Sequence, residues 1–123
     1  MAGKYTDIVE IRAPATAVPG ETVSVSATVK NTWTTPVHVY CVGVWDSEKR
    51  FIDWLDAWIA PGESRIFEGS LVMPSRNVTL NIYTYYEAID GFLYSDDSKS
   101  KTVKVGELIP EFAGFGITEY VKS

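Results

Sequence analysis

Between positions 22 and 29 the chain reads Thr-Val-Ser-Val-Ser-Ala-Thr-Val, and this alternation of apolar and small polar residues constrains the fold more than any other feature. Successive side chains on an extended strand point to opposite faces, so period two in β-branched residues means a strand with one face buried. A helix would scatter the same residues around its circumference. The run is introduced by Val18-Pro19-Gly20-Glu21, where Pro fixes φ and Gly accepts the positive φ of a tight turn. Ala60-Pro61-Gly62-Glu63 repeats that punctuation further along.

The rest of the chain divides in the same way. Residues 7–13 read as a first strand that stops at Pro14, whose missing N–H cannot continue a ladder. Residues 37–45 are apolar on both parities, which suits a central strand covered on both faces. Residues 64–72 form another strand, and residues 77–86 alternate so that Val78, Leu80 and Ile82 face inward. Residues 89–97 read as a loop before a last sandwich strand at 100–106. The ambiguous segment is 51–59, because Trp54 and Trp58 share a face in a helix and also share parity in a strand. Polar turns on both sides favour a strand. Turning Phe51, Asp53, Leu55, Ala57 and Ile59 inward buries four apolar residues with one Asp, against three with one Asp for the other parity. The first set is therefore expected inside, with Trp54 and Trp58 standing outside.

About seven short strands between turn signals, with no convincing amphipathic helix, predict an all-β, immunoglobulin-like antiparallel sandwich. At 123 residues the chain holds one domain. Residues 1–106 supply the sandwich, and residues 107–123 add a Gly-punctuated connector and one more alternating strand. That terminal strand, through Ile117, Tyr120 and Val121, is expected to cap its own sheet or to pair with a neighbouring molecule.

Eleven Lys and Arg against sixteen Asp and Glu give a net charge of -5, which repels phosphate and argues against nucleic acid or an anionic membrane as partner. No apolar run approaches the roughly 20 residues that span a bilayer, so no membrane insertion is expected. A basic segment followed by an apolar one is absent from the N-terminus, so no signal peptide is visible. The single cysteine, Cys41, excludes an internal disulfide.

Residues that could carry chemistry are few. The one histidine, His38, lies three positions from Cys41 and so on the opposite face of an extended strand, which leaves neither a zinc site nor a nucleophilic pair. It reads as a structural or surface residue. Asp90, Asp96 and Asp97, with Glu87 nearby, could converge on a Ca²⁺ ion, although the spacing is not that of an EF-hand and Lys99 and Lys101 could balance a solvated acidic loop instead. No other cofactor is expected. Asp53 and Asp56 have opposite strand parity and face apart, unlike a glycosidase pair. No enzyme is predicted.

The aromatic residues are in excess: Trp33, Trp45, Trp54, Trp58, Tyr83, Tyr85, Tyr86, Phe92 and Tyr94. Most are expected in the core, though not all can fit there. An exposed Trp54 and Trp58 pair would be either a protein-interface anchor or a platform for stacking sugars.

The turn-and-strand pairs Val18-Pro19-Gly20-Glu21-Thr22-Val23 into Ala27-Thr28-Val29-Lys30-Asn31-Thr32, then Ile59-Ala60-Pro61-Gly62-Glu63-Ser64 and the Tyr-rich penultimate strand, resemble the CARDB-type immunoglobulin-like domains of archaea and bacteria. The likeness spans roughly residues 8–105. It implies a β-sandwich with a binding or adhesive role in cell-surface proteins, and it carries no catalytic residue to transfer. A single copy with an extra strand also resembles a virion or surface-filament building block. The expected function is a non-catalytic structural or adhesive module that self-associates or docks on a larger assembly, with a carbohydrate-binding module as the alternative.

Overall fold

The computed structural model describes residues 3–46 and 49–106. Residues 107–123, and with them Ile117, Tyr120, Val121 and the expected terminal strand, lie outside the described residues. The strands are β1 (Thr6–Arg12), β2 (Thr16–Ala17), β3 (Thr22–Asn31), β4 (Val37–Trp45), β5 (Lys49–Ile59), β6 (Ser64–Val72), β7 (Val78–Glu87) and β8 (Leu93–Val105). They form two sheets, in the orders β1-β3-β6 and β2-β8-β7-β4-β5. Every pairing is antiparallel except the two-residue β2 against β8. The immunoglobulin-like sandwich expected from the alternation is the architecture found.

Both Pro-Gly turns form as their residue types dictate. Gly20 and Gly62 take φ of 87° and 78°, and the amides of Glu21 and Glu63 donate back to Val18 O and Ala60 O at 3.1 and 3.0 Å. Each turn is also tied to a strand end. Gly20 N donates to Met73 O at 2.8 Å, and Gly62 N donates to Asn31 O at 2.9 Å. The turns thus sit at opposite ends of the β3–β6 ladder, whose register runs from Thr22↔Val72 to Lys30↔Ser64. Buried Asn31 ties this corner further, donating from Nδ2 to Ile59 O at 2.7 Å and Thr35 O at 3.0 Å, and accepting from Trp33 N at 2.7 Å.

The inward parities meet between the sheets. Ile8, Val23, Val25, Ala27 and Val29 come from one side, and Val37, Val39, Cys41, Val78, Leu80, Ile82 and Val103 from the other. Burial pushes the Cys41 thiol up to about 12, so it packs as a small apolar group. The expectation that most aromatics fill this core is overturned. Phe51 and Phe67 are buried there and Tyr5, Trp45 and Tyr86 lie against it, while Trp33, Trp54, Trp58, Phe92 and Tyr94 are exposed. Aliphatic side chains, mostly β-branched, already fill a space only about 10 Å deep.

Two segments depart from the sequence reading. In β5 the simple inward set fails: Phe51 and Ile52 are both buried, Ile59 is buried and Ala57 partly so, but Asp53 and Leu55 are exposed. The pairing Cys41↔Leu55 is followed by Gly43↔Ile52 and then Val44↔Arg50, so β5 bulges twice and its parity changes. In β8 the expected loop at 89–97 is confined to a turn, where Ala88 N donates to Phe92 O and Gly91 N to Ala88 O, both at 2.9 Å. Strand begins at Leu93, so Asp96 and Asp97 are strand residues.

Those two aspartates close one side of the sandwich. The Asp96 carboxylate accepts from the amides of Lys4, Tyr5 and Thr6 at 2.7–3.3 Å and from Thr6 Oγ1 at 2.5 Å. Asp97 Oδ2 accepts from Ile8 N at 2.8 Å. Further along the seam Lys99 Nζ and Lys101 Nζ donate to Ile8 O and Ile11 O at 2.5 and 3.3 Å. Side chains of β8 therefore satisfy the free edge of β1, where a neighbouring strand would otherwise be needed.

Candidate functional site

Because Val37, Val39 and Cys41 point into the core, His38 and Tyr40 on β4 point the other way, onto the outer face of the five-stranded sheet. Register then sets their neighbours. His38 lies opposite Trp58 on β5, while Tyr40 lies opposite Asp56 on β5 and Tyr85 on β7. One step along β7, Glu87 comes alongside His38.

The imidazole is held on every side. Its Nε2 lies 2.7 Å from Asp56 Oδ2 and its Nδ1 lies 2.6 Å from Glu87 Oε1. The Trp58 ring stacks on it at 4.8 Å and 16°, and the Tyr40 ring lies 4.7 Å away at 37°. Only 14% of the His38 side chain is exposed. Burial pulls its pKa down, but hydrogen bonds to Asp56 and Glu87, and then their charges, outweigh burial and leave it above the ordinary value. Protonated, the ring donates from both nitrogens. The Tyr40 phenol is pushed up, first by desolvation and then by the two carboxylates.

Trp54 takes a different posture. Its ring lies 4.9 Å from that of Tyr85, two strands away, so the indole reaches across β4. Val42 faces outward in that row, opposite Tyr83, yet is only 4% exposed and stands apart from the core between the sheets. This posture needs a backbone φ of 54° at Trp54, inside one of the β5 bulges. A left-handed conformation at a non-glycine residue costs about 1–2 kcal/mol, and such strain is found where a side chain must be aimed.

Of the residues singled out from sequence, Trp54 and Trp58 thus share one face and are 38% and 64% exposed. The three aspartates considered for calcium do not converge. Asp96 and Asp97 hold the β1 edge, while Asp90 accepts from Phe92 N at 2.9 Å and from Tyr94 Oη at 2.6 Å, which lowers its pKa and raises that of Tyr94. Among the described residues no three His, Cys, Asp or Glu side chains gather to hold an ion. Sequence reasoning missed the joining of His38, Asp56 and Glu87, which are 18 and 49 positions apart. Only the strand order brings them together; the one signal was the shared parity of 38 with 40, 56 with 58, and 85 with 87.

A two-sheet, antiparallel sandwich with no helix among the described residues defines the class: an immunoglobulin-like β-domain. No family model and no curated protein matches the chain. Among solved structures it is similar to the CARDB domain of a Pyrococcus furiosus protein, crystallised in complex with di-metal ions. The TM-score is 0.60 at 13% identity, covering 86% of this chain and 93% of that one. The fold is therefore the CARDB-like one that the turn and strand motifs indicated.

Proposed function

We propose that this chain is a non-catalytic adhesive module, part of a cell-surface or virion assembly, that docks through the outer face of its five-stranded sheet. The observation that carries the reading is the strained Trp54, whose ring reaches Tyr85, together with a Trp58 left 64% exposed on a clamped imidazole. Two large rings fixed in place and left open to water are the composition of an interface hot spot, since little side-chain freedom remains to be lost on binding. The CARDB-like fold supports the adhesive part of the reading.

Sedimentation of the purified protein with cell-envelope fragments of the organism that carries it tests this. The wild type is expected to pellet and Trp58→Ala to stay in solution, whereas Ile66→Ser, on the opposite sheet, pellets like the wild type. Equal pelleting of the Trp58 variant would remove the face from the account. Self-association through Ile117, Tyr120 and Val121 is the second reading, favoured by the alternation of residues 117–122. Light scattering with and without residues 107–123 tests it: an oligomer that becomes monomeric on truncation supports assembly through that segment.

A further inference from the structure

Resting on that docking face, we infer that its ligand is a neutral oligosaccharide chain, held by Trp58 and Trp54 with Asp56 and Glu87 accepting hydrogen bonds from its hydroxyls. Each of the two carboxylates uses one oxygen on His38. Among the described residues Asp56 Oδ1 and Glu87 Oε2 have no partner, so two oriented acceptors stand free beside open aromatic rings. A pyranose supplies both complements at once, an apolar C–H face for an indole and hydroxyl donors for a carboxylate.

Other occupants fit less well. A second copy meeting this face about a two-fold axis would bring together two faces that each carry Asp56 and Glu87, on molecules that each already stand at -5. A basic peptide would meet a weakened field whenever the imidazole between the carboxylates is protonated, because the ring then cancels one of their two charges. A small engulfed ligand would not use the tryptophans: the groove of ≈ 740 Å³ lies elsewhere, among β1, β3 and β6 residues such as Glu10, Arg12, Ser24 and Glu68, and the hollow of ≈ 180 Å³ lined by Asn81, Tyr83, Ser98 and Ser100 includes neither ring. The two tryptophans are four positions apart along a strand, on the order of 13 Å, so one monosaccharide cannot touch both and a chain of several can.

Native affinity gels containing a soluble β-1,4-glucan, β-1,3-glucan, xylan or mannan test the inference, with a lysine-rich peptide as a separate titration. At least one polysaccharide is expected to retard the protein. Trp58→Ala is expected to weaken that binding by roughly tenfold, as loss of a hot-spot ring does, and Glu87→Gln, which keeps the shape, by a smaller factor. Ile66→Ser should bind as the wild type does. No retardation in any of the four gels overturns the inference, as does retardation that Trp58→Ala leaves intact. Peptide binding lost in Trp58→Ala, without retardation in the gels, would overturn the saccharide while leaving the docking face standing.

Discussion

His38 joins three strands through one side chain: it stands on β4, and its two ring nitrogens reach Asp56 on β5 and Glu87 on β7. With its folded pKa raised, its charge stabilises the sheet fully below the unfolded value near 6.5, and that contribution is lost as pH rises through the folded pKa. Because it is the only histidine, its C2 proton gives a single NMR titration curve, whose midpoint is expected above 6.5. Stability measured in urea should fall over that same interval, and the fall should vanish in His38→Gln. A midpoint below 6.5 would mean that burial, not the carboxylates, governs the ring. Sequence could place His38 and Cys41 on opposite faces, since that needs only parity. It could not supply the partners, because parity within a strand says nothing about which strands are neighbours.

At the scale of elements, legibility followed the strength of alternation. Residues 22–29 carry apolar residues at every second position and residues 77–86 do so at Val78, Leu80 and Ile82, and both segments form strands as expected. The start of β8, Leu93-Tyr-Ser-Asp-Asp, reads as a loop because its inward positions are polar. They are polar for a reason: Asp97 and Lys99 face the backbone edge of β1 rather than the apolar core. Likewise a single parity is the expectation over residues 51–59, and the two bulges of β5 break it, burying Phe51 and Ile52 while Trp54 faces outward. The seam gives a direct prediction. Asp97 is 5% exposed, and Asp97→Ala leaves the Ile8 amide without its acceptor, a loss of about 2–3 kcal/mol for a buried bond to a charged group. Asp97→Asn retains an acceptor and should lose less. Urea unfolding should show the midpoint falling with the slope unchanged, and an unchanged midpoint in the alanine variant would mean that the seam adds nothing to stability.

For the molecule as a whole, the question is what residues 107–123 contribute to the sandwich. The buried cluster between the sheets runs from Ile8 to Val103, and both Pro-Gly turns, the Asn31 corner and the β1–β8 seam are complete within residues 3–106. Such a cluster has hydrogen bonds and apolar contacts of its own among the described residues. The chain ending at residue 106 is therefore expected to unfold cooperatively, with a thermal midpoint within about 4 °C of the full chain, equivalent to less than roughly 1 kcal/mol. Calorimetry at several protein concentrations separates the alternatives. A larger drop that is independent of concentration would make residues 107–123 part of the same folded unit. A drop seen only at high concentration would instead mean that this segment stabilises an oligomer, because linkage to association depends on concentration and packing within one chain does not.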